Sequence, residues 1–187
     1  MRAIALIAAG LVLASCSPPA EDAPASDAPP IAATAIQVQM TEATLAGPGQ
    51  SVGFVVVRDS SEGAVFALNL TGLPPGEHGF HVHETASCQP GSDNGDVAPA
   101  GAAGGHWDPD GTGQHLGPYG EGHLGDLPVL QVSADGTAQQ SLTAPRIEDI
   151  ERLRGHALMV HAQGDNFSDQ PEPLGGGGAR IACGLIQ

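Results

Sequence analysis

Seven residues, His81, His83, His106, His115, His123, Asp126 and His161, carry side chains that bind transition metals, and together they can supply two adjacent metal sites. His81 and His83 stand on either side of Val82, so a strand running through 80–84 turns both imidazoles to one face and Val82 to the other. Taken alone, an H-x-H pair is also what exposed or hydrogen-bonded histidines look like. His106, His115, His123 and Asp126 follow within a Gly/Pro-rich stretch, and three imidazoles with one carboxylate suit tetrahedral zinc. His161 ends the apolar run 158–160, which reads as a buried strand, and at that strand's mouth it would complete the first pair.

The elements that must position these residues read as all-β. Short alternating or apolar runs lie near 36–40, 52–58, 64–70, 78–84, 128–132, 137–142, 157–162 and 180–186, separated by Gly, Pro and Asp turns, which suggests a sandwich or barrel. Ala134-Asp135-Gly136-Thr137 is the clearest hairpin signal. Ile147, Ile150 and Leu153 are spaced as one face of a short helical turn, read as a connector rather than core. Two long connections remain, 84–127 with the zinc-type residues and 163–179 beyond His161; loops of this length are usually functional or disordered. Within the second, Gly175 to Gly178 is either slack or a place where backbone passes close to a channel. No internal repeat, nucleotide-binding glycine motif or serine-hydrolase elbow is present.

The first 34 residues read as an export segment. Met1-Arg2, an apolar run from Ala3 to Leu13 and the small residues before Cys16 make a secretory signal over 1–15, too short to span a bilayer comfortably. Leu13-Ala14-Ser15-Cys16 resembles a bacterial lipobox, which would make Cys16 the lipidated N-terminus; an ordinary signal with an incidental cysteine is the alternative. Residues 16–34, rich in Pro, Ala and Asp, read as a disordered tether, leaving 35–187 as one domain with a single substantial core. The formal net charge is -15 and lysine is absent, which argues against nucleic acid as a partner.

From about residue 35 onward the chain resembles the copper/zinc superoxide dismutases. The motifs are Gly-Phe-His-Val-His-Glu at 79–84, Gly-His-Trp-Asp-Pro at 105–109, Gly-His-Leu-Gly-Asp-Leu-Pro at 122–128, Met-Val-His at 159–161 and Gly-Gly-Ala-Arg-Ile-Ala-Cys-Gly at 177–184, in family order. The spacing of His83, His106 and His115 is that of the bacterial branch. The resemblance implies a Greek-key β-sandwich or barrel of eight antiparallel strands with two functional loops. It implies copper held by His81, His83, His106 and His161, and zinc by His106, His115, His123 and Asp126, with His106 bridging. Asp165 would hydrogen-bond one ligand of each metal, and Arg180 would stand beside the open copper position, always charged and shaped to hydrogen-bond a small anion. His78 and His156, on the opposite strand parity from the neighbouring ligands, read as structural.

The implied activity is dismutation of superoxide to O2 and hydrogen peroxide by alternating reduction and oxidation of copper, on the periplasmic side of a bacterial membrane to which a lipid on Cys16 would anchor the chain. If Cys16 is acylated, Cys88 and Cys183 remain as an even pair in an exported protein, a disulfide that the family also has; two buried free thiols are the alternative. The substrate is an anion approaching an acidic protein, and the loop 163–179 carries Asp165, Asp169 and Glu172 where many relatives have steering lysines, so weaker electrostatic enhancement is expected. A membrane-anchored copper/zinc-storage protein without turnover is the runner-up, and an adhesive domain using the fold as scaffold is third. A homodimer and a monomer both stay open, as do an interface and a packed-loop position for Trp107.

Overall fold

The structure, a computed structural model, describes residues 35–93 and 95–187; the expected signal at 1–15, the acylated Cys16 and the tether at 16–34 lie outside them. Among the described residues the chain forms eleven strands, β1 (Ala35–Thr44), β2 (Gly47–Arg58), β3 (Ala64–Leu70), β4 (Gly76–His78), β5 (Phe80–His83), β6 (Gly91–Asp93), β7 (Asp96–Ala98), β8 (Leu130–Val132), β9 (Ala138–Ala144), β10 (Ala157–His161) and β11 (Arg180–Leu185). Seven of them make one antiparallel sheet in the order β5-β10-β11-β1-β2-β3-β9. β4 leads into β5 at one edge and pairs with β8, which turns through Ser133–Thr137 into β9 at the other edge. The sheet is thereby curled into a half-barrel, the all-β antiparallel architecture expected.

Alternation decides which face is inside. In β1, Ile36, Val38 and Met40 are buried while Ala35, Gln37 and Gln39 are exposed, and in β3 Ala64, Phe66, Leu68 and Leu70 point inward. The strands β5 and β10 are buried on both faces, and the period of two separates their tasks. Phe80, Val82, Leu158 and Val160 join the main core, whereas His81, His83 and His161 project from the other face, where Met159 packs with Cys88 and Cys183.

Three local readings need revision. The run expected at 78–84 breaks at Gly79 into β4 and β5. The loop 84–127 contains an unforeseen hairpin, β6–β7, whose three-residue strands carry little alternation to read. Ile147, Ile150 and Leu153 are each at most 1% exposed and belong to the main core, so the connector containing the 3-10 turn Ile150–Leu153 packs its apolar face into that core. Apolar side chains on a connector gain free energy by leaving water for the core. No helix among the described residues is long and apolar enough to cross a membrane.

Candidate metal centre

The long loop after β5 does not wander from the sheet; it docks on the free edge of β5. The Val82 amide donates to Gly125 O (2.9 Å), the Trp107 amide to Val82 O (2.8 Å) and the Glu84 amide to Gly105 O (3.0 Å). These bonds set His83 opposite His106 and His81 opposite Asp126. Gly125 is required there, because a Cβ would collide with the Val82 carbonyl. Trp107 is 8% exposed and packs into the core beside His156 and under the Arg152 guanidinium, which settles it as a packed loop residue.

All seven residues singled out by type and spacing come together, at most 7% exposed, in two groups that share His106: His81, His83, His106 and His161, and His106, His115, His123 and Asp126. In each group one ligand-type atom per residue lies within 4.8 Å of every other. The hydrogen bonds show which nitrogen is left for a cation. His83 Nδ1 donates to Gly104 O (2.9 Å) and His161 Nδ1 to Gly178 O (3.1 Å), so their Nε2 lone pairs face each other at 3.3 Å. His81 Nε2 donates to Asp165 Oδ2 and His115 Nε2 to Asp165 Oδ1, both at 2.7 Å, so one carboxylate orients a ring from each group. The remaining Nδ1 of His81 is buried without a hydrogen-bond partner, and the buried Nδ1 atoms of His115 and His123 face the Asp126 carboxylate at 3.0 and 3.4 Å. Converging lone pairs and a buried carboxylate suit cations placed among them.

The electrostatics of the cluster agree. Burial, reinforced by the neighbouring imidazoles, pushes His83 and His161 well below the usual histidine range and His106 down to about 3. Burial also acts against a charge on His115, but carboxylates on both nitrogens outweigh it and raise the ring to about 9, so this position favours positive charge. Burial would raise Asp126 and Asp165 as well; the histidines around them win and hold both carboxyls well below the carboxylate range.

Arg180 lies beside His161 in the β10–β11 register and is 8% exposed. Its Nη1 donates to Ala100 O (2.8 Å) and its Nη2 to Gly104 O (2.9 Å), the same carbonyl that receives His83 Nδ1. His83, His106, His161 and Arg180 line a cavity of about 360 Å³ whose outer wall includes Leu174 and Asp93. A larger cavity, about 450 Å³ between β1, β11 and the Cys88 segment, holds none of these imidazoles. The run Gly175–Gly178 brings backbone against the cluster: a Cβ on Gly175 would collide with Asp165.

Cys88 and Cys183 form a disulfide that ties the loop to β11. His78 bridges the carbonyls of His161 and Pro74 and His156 contacts Glu84 O, both outside the cluster. Three supporting residues had not been singled out for these contacts. Asp169 accepts from the His115 amide (2.9 Å), Arg146 donates to the carbonyls of Gly122 (2.9 Å) and His123 (3.1 Å), and Asp93 lies 3.3 Å from Arg180. None belongs to a local pattern that would have marked it.

An all-β domain with two fused, histidine-rich groups opening beside an arginine defines a metal-binding protein with two adjacent sites. The family model described as copper/zinc superoxide dismutase matches residues 51–186. The chain is 54% identical over 151 residues to "Superoxide dismutase [Cu-Zn] 2" of Salmonella typhimurium, covering 81% of this chain and 87% of that one. Among solved structures, the "Cu/Zn superoxide dismutase from Brucella abortus" superposes with a TM-score of 0.80 at 51% identity, covering 82% of this chain and all of that one. The monomeric copper, zinc superoxide dismutase from Salmonella enterica gives 0.73 at 52%, again with 82% and 100% covered. The chain belongs to the copper/zinc superoxide dismutase family, whose cofactors are copper and zinc.

Proposed function

We propose that the domain is an enzyme that dismutes superoxide, two superoxide ions and two protons giving O2 and hydrogen peroxide. The observation that carries this reading is the sharing of His106 by two four-residue groups, one of which opens beside Arg180. Copper, when bound, supplies one-electron oxidation of one superoxide and reduction of the next by cycling between Cu(II) and Cu(I), while zinc keeps one valence.

His81, His83, His106 and His161 are assigned to copper, and His106, His115, His123 and Asp126 to zinc. His106 turns Nδ1 to Asp126, at 2.9 Å, leaving Nε2 for the copper side; that nitrogen is the place where a proton can be held and passed on. Asp165 keeps the rings of His81 and His115 in orientation. Arg180, fixed by two carbonyls, presents positive charge to an anion in the cavity. All these side chains come from one chain, so the proposed chemistry does not require a homodimer.

The test is superoxide dismutation by the copper- and zinc-reconstituted domain, expressed from Ala20 onward, beside a His161→Ala control. Fast turnover that disappears in the control is the expected result. Full copper occupancy without turnover would leave metal storage as the function.

Export and anchoring belong to the same reading: a signal over 1–15, a lipid on Cys16, a tether over 16–34 and a domain over 35–187 held on the periplasmic side of the membrane. Labelling with a radioactive fatty acid that Cys16→Ser abolishes, with release of the protein into the soluble periplasmic fraction, is the expected outcome.

A further inference from the structure

Arg180 does not face the cavity alone. Asp93, at the end of β6, places Oδ2 3.3 Å from Arg180 Nη2, and both residues line the cavity that holds His83, His106 and His161. The guanidinium is already held by the carbonyls of Ala100 and Gly104, at 2.8 and 2.9 Å, so Asp93 is not needed to orient it. The Arg180 side chain is 8% exposed whereas that of Asp93 is 38% exposed, which puts the carboxylate on the more solvent-exposed side of the pair. No lysine exists in the chain to offset that negative charge.

We propose that Asp93 is a resident counter-anion of Arg180 that weakens the cavity's hold on small anions and discriminates against dianions more than monoanions. The inference rests on the cavity being the anion-receiving site of the proposed dismutase. Two charges interact in proportion to their product, so whatever factor Asp93 costs a monoanion, it costs a dianion at the same place about the square of that factor. The result is a site that admits superoxide, a monoanion, while resisting occupation by hydrogen phosphate or sulfate. Asp93 acts through Arg180 and through the local potential, as a specificity-determining residue and not as a group that moves protons or electrons.

The test is azide titration of the copper- and zinc-loaded protein at low ionic strength, followed by the Cu(II)–azide absorption band, for wild type, Asp93→Asn and Asp93→Glu. Asp93→Asn is expected to bind azide about 3- to 10-fold more tightly, the gain shrinking as salt is added. Hydrogen phosphate, measured by competition with azide, is expected to gain more than azide does. Asp93→Glu, which keeps the charge, is expected to stay near wild type. Azide binding in Asp93→Asn that is unchanged or weaker overturns the proposal, as does an equal gain in Asp93→Glu. Because azide binding needs copper but not turnover, a loaded protein without dismutase activity would sink the proposed function while leaving this outcome readable.

Discussion

The histidines on the sheet and those on the long loop arrive at one cluster by different means. His81, His83 and His161 hang from β5 and β10, whose ladder hydrogen bonds and inner-face core residues hold the backbone along its length. His115 and His123 sit on irregular chain, and their places depend on separate contacts: Asp169 on the His115 amide, Asp165 on the His115 ring, and Arg146 on the carbonyls of Gly122 and His123. A sheet spreads positioning over many small shared restraints, whereas a loop concentrates it in a few contacts that single substitutions remove. The loop-borne, zinc-type group should therefore fail before the strand-borne, copper-type group.

The largest expected effect comes from removing the disulfide. Cys88→Ser with Cys183→Ser frees the start of the loop from β11 and is expected to lower stability by about 2–5 kcal/mol in urea unfolding. Zinc affinity should fall further than copper affinity; an equal fall in both would erase the distinction between the two groups. Asp165→Asn should act on both groups, since one carboxylate holds a ring from each, with about a 10- to 100-fold loss of affinity for each metal in chelator competition. A loss confined to one metal would show that the carboxylate does not couple them.

Arg146→Gln is the sharper probe of the loop. It deletes charged donors to the Gly122 and His123 carbonyls, and zinc affinity is expected to drop about tenfold with copper affinity unchanged. Cobalt placed in the zinc-type site should show an altered visible spectrum in this variant. Unaltered spectra and affinities would show that the loop holds its shape without the clamp.

The smallest effect is a pH dependence of the metal-free domain. His83, His106 and His161 have folded pKa values below the ordinary 6.5, so the unfolded chain binds more protons there and stability falls as pH drops below 6.5. His115, raised to about 9, contributes the opposite way: its stabilisation is present below 6.5 and is lost as pH rises toward 9. Three rings outnumber one, so urea unfolding of the metal-free domain should show lower stability at pH 5 than at pH 7. Loading both metals should flatten that slope by holding the lone pairs unprotonated.

Much of this molecule was legible in the residue order. The period of two in 80–83 and 157–161 placed the imidazoles on one face because adjacent side chains in a strand must point opposite ways. The turn at 134–137 was equally local, since Asp135 accepts from the Thr137 amide and Gly136 adopts φ 81°, but it does not close the expected hairpin: β8 pairs with β4 and β9 with β3. The β6–β7 hairpin and the burial of Ile147, Ile150 and Leu153 were not legible, because short loop strands carry little pattern and a helical turn of apolar residues does not state what it covers.

By itself the sequence determined which residues can bind metal, which strands are two-faced and which cysteines can pair, for these follow from side-chain chemistry and from periods only a few residues long. The tertiary structure alone decided which nitrogen of each ring is free, that Gly104 O joins His83 to Arg180, that Arg146 clamps a loop 23 residues away, and that Asp93 stands beside the arginine. Those contacts join segments far apart in the chain, and only the curled sheet with the loop docked along β5 makes them neighbours.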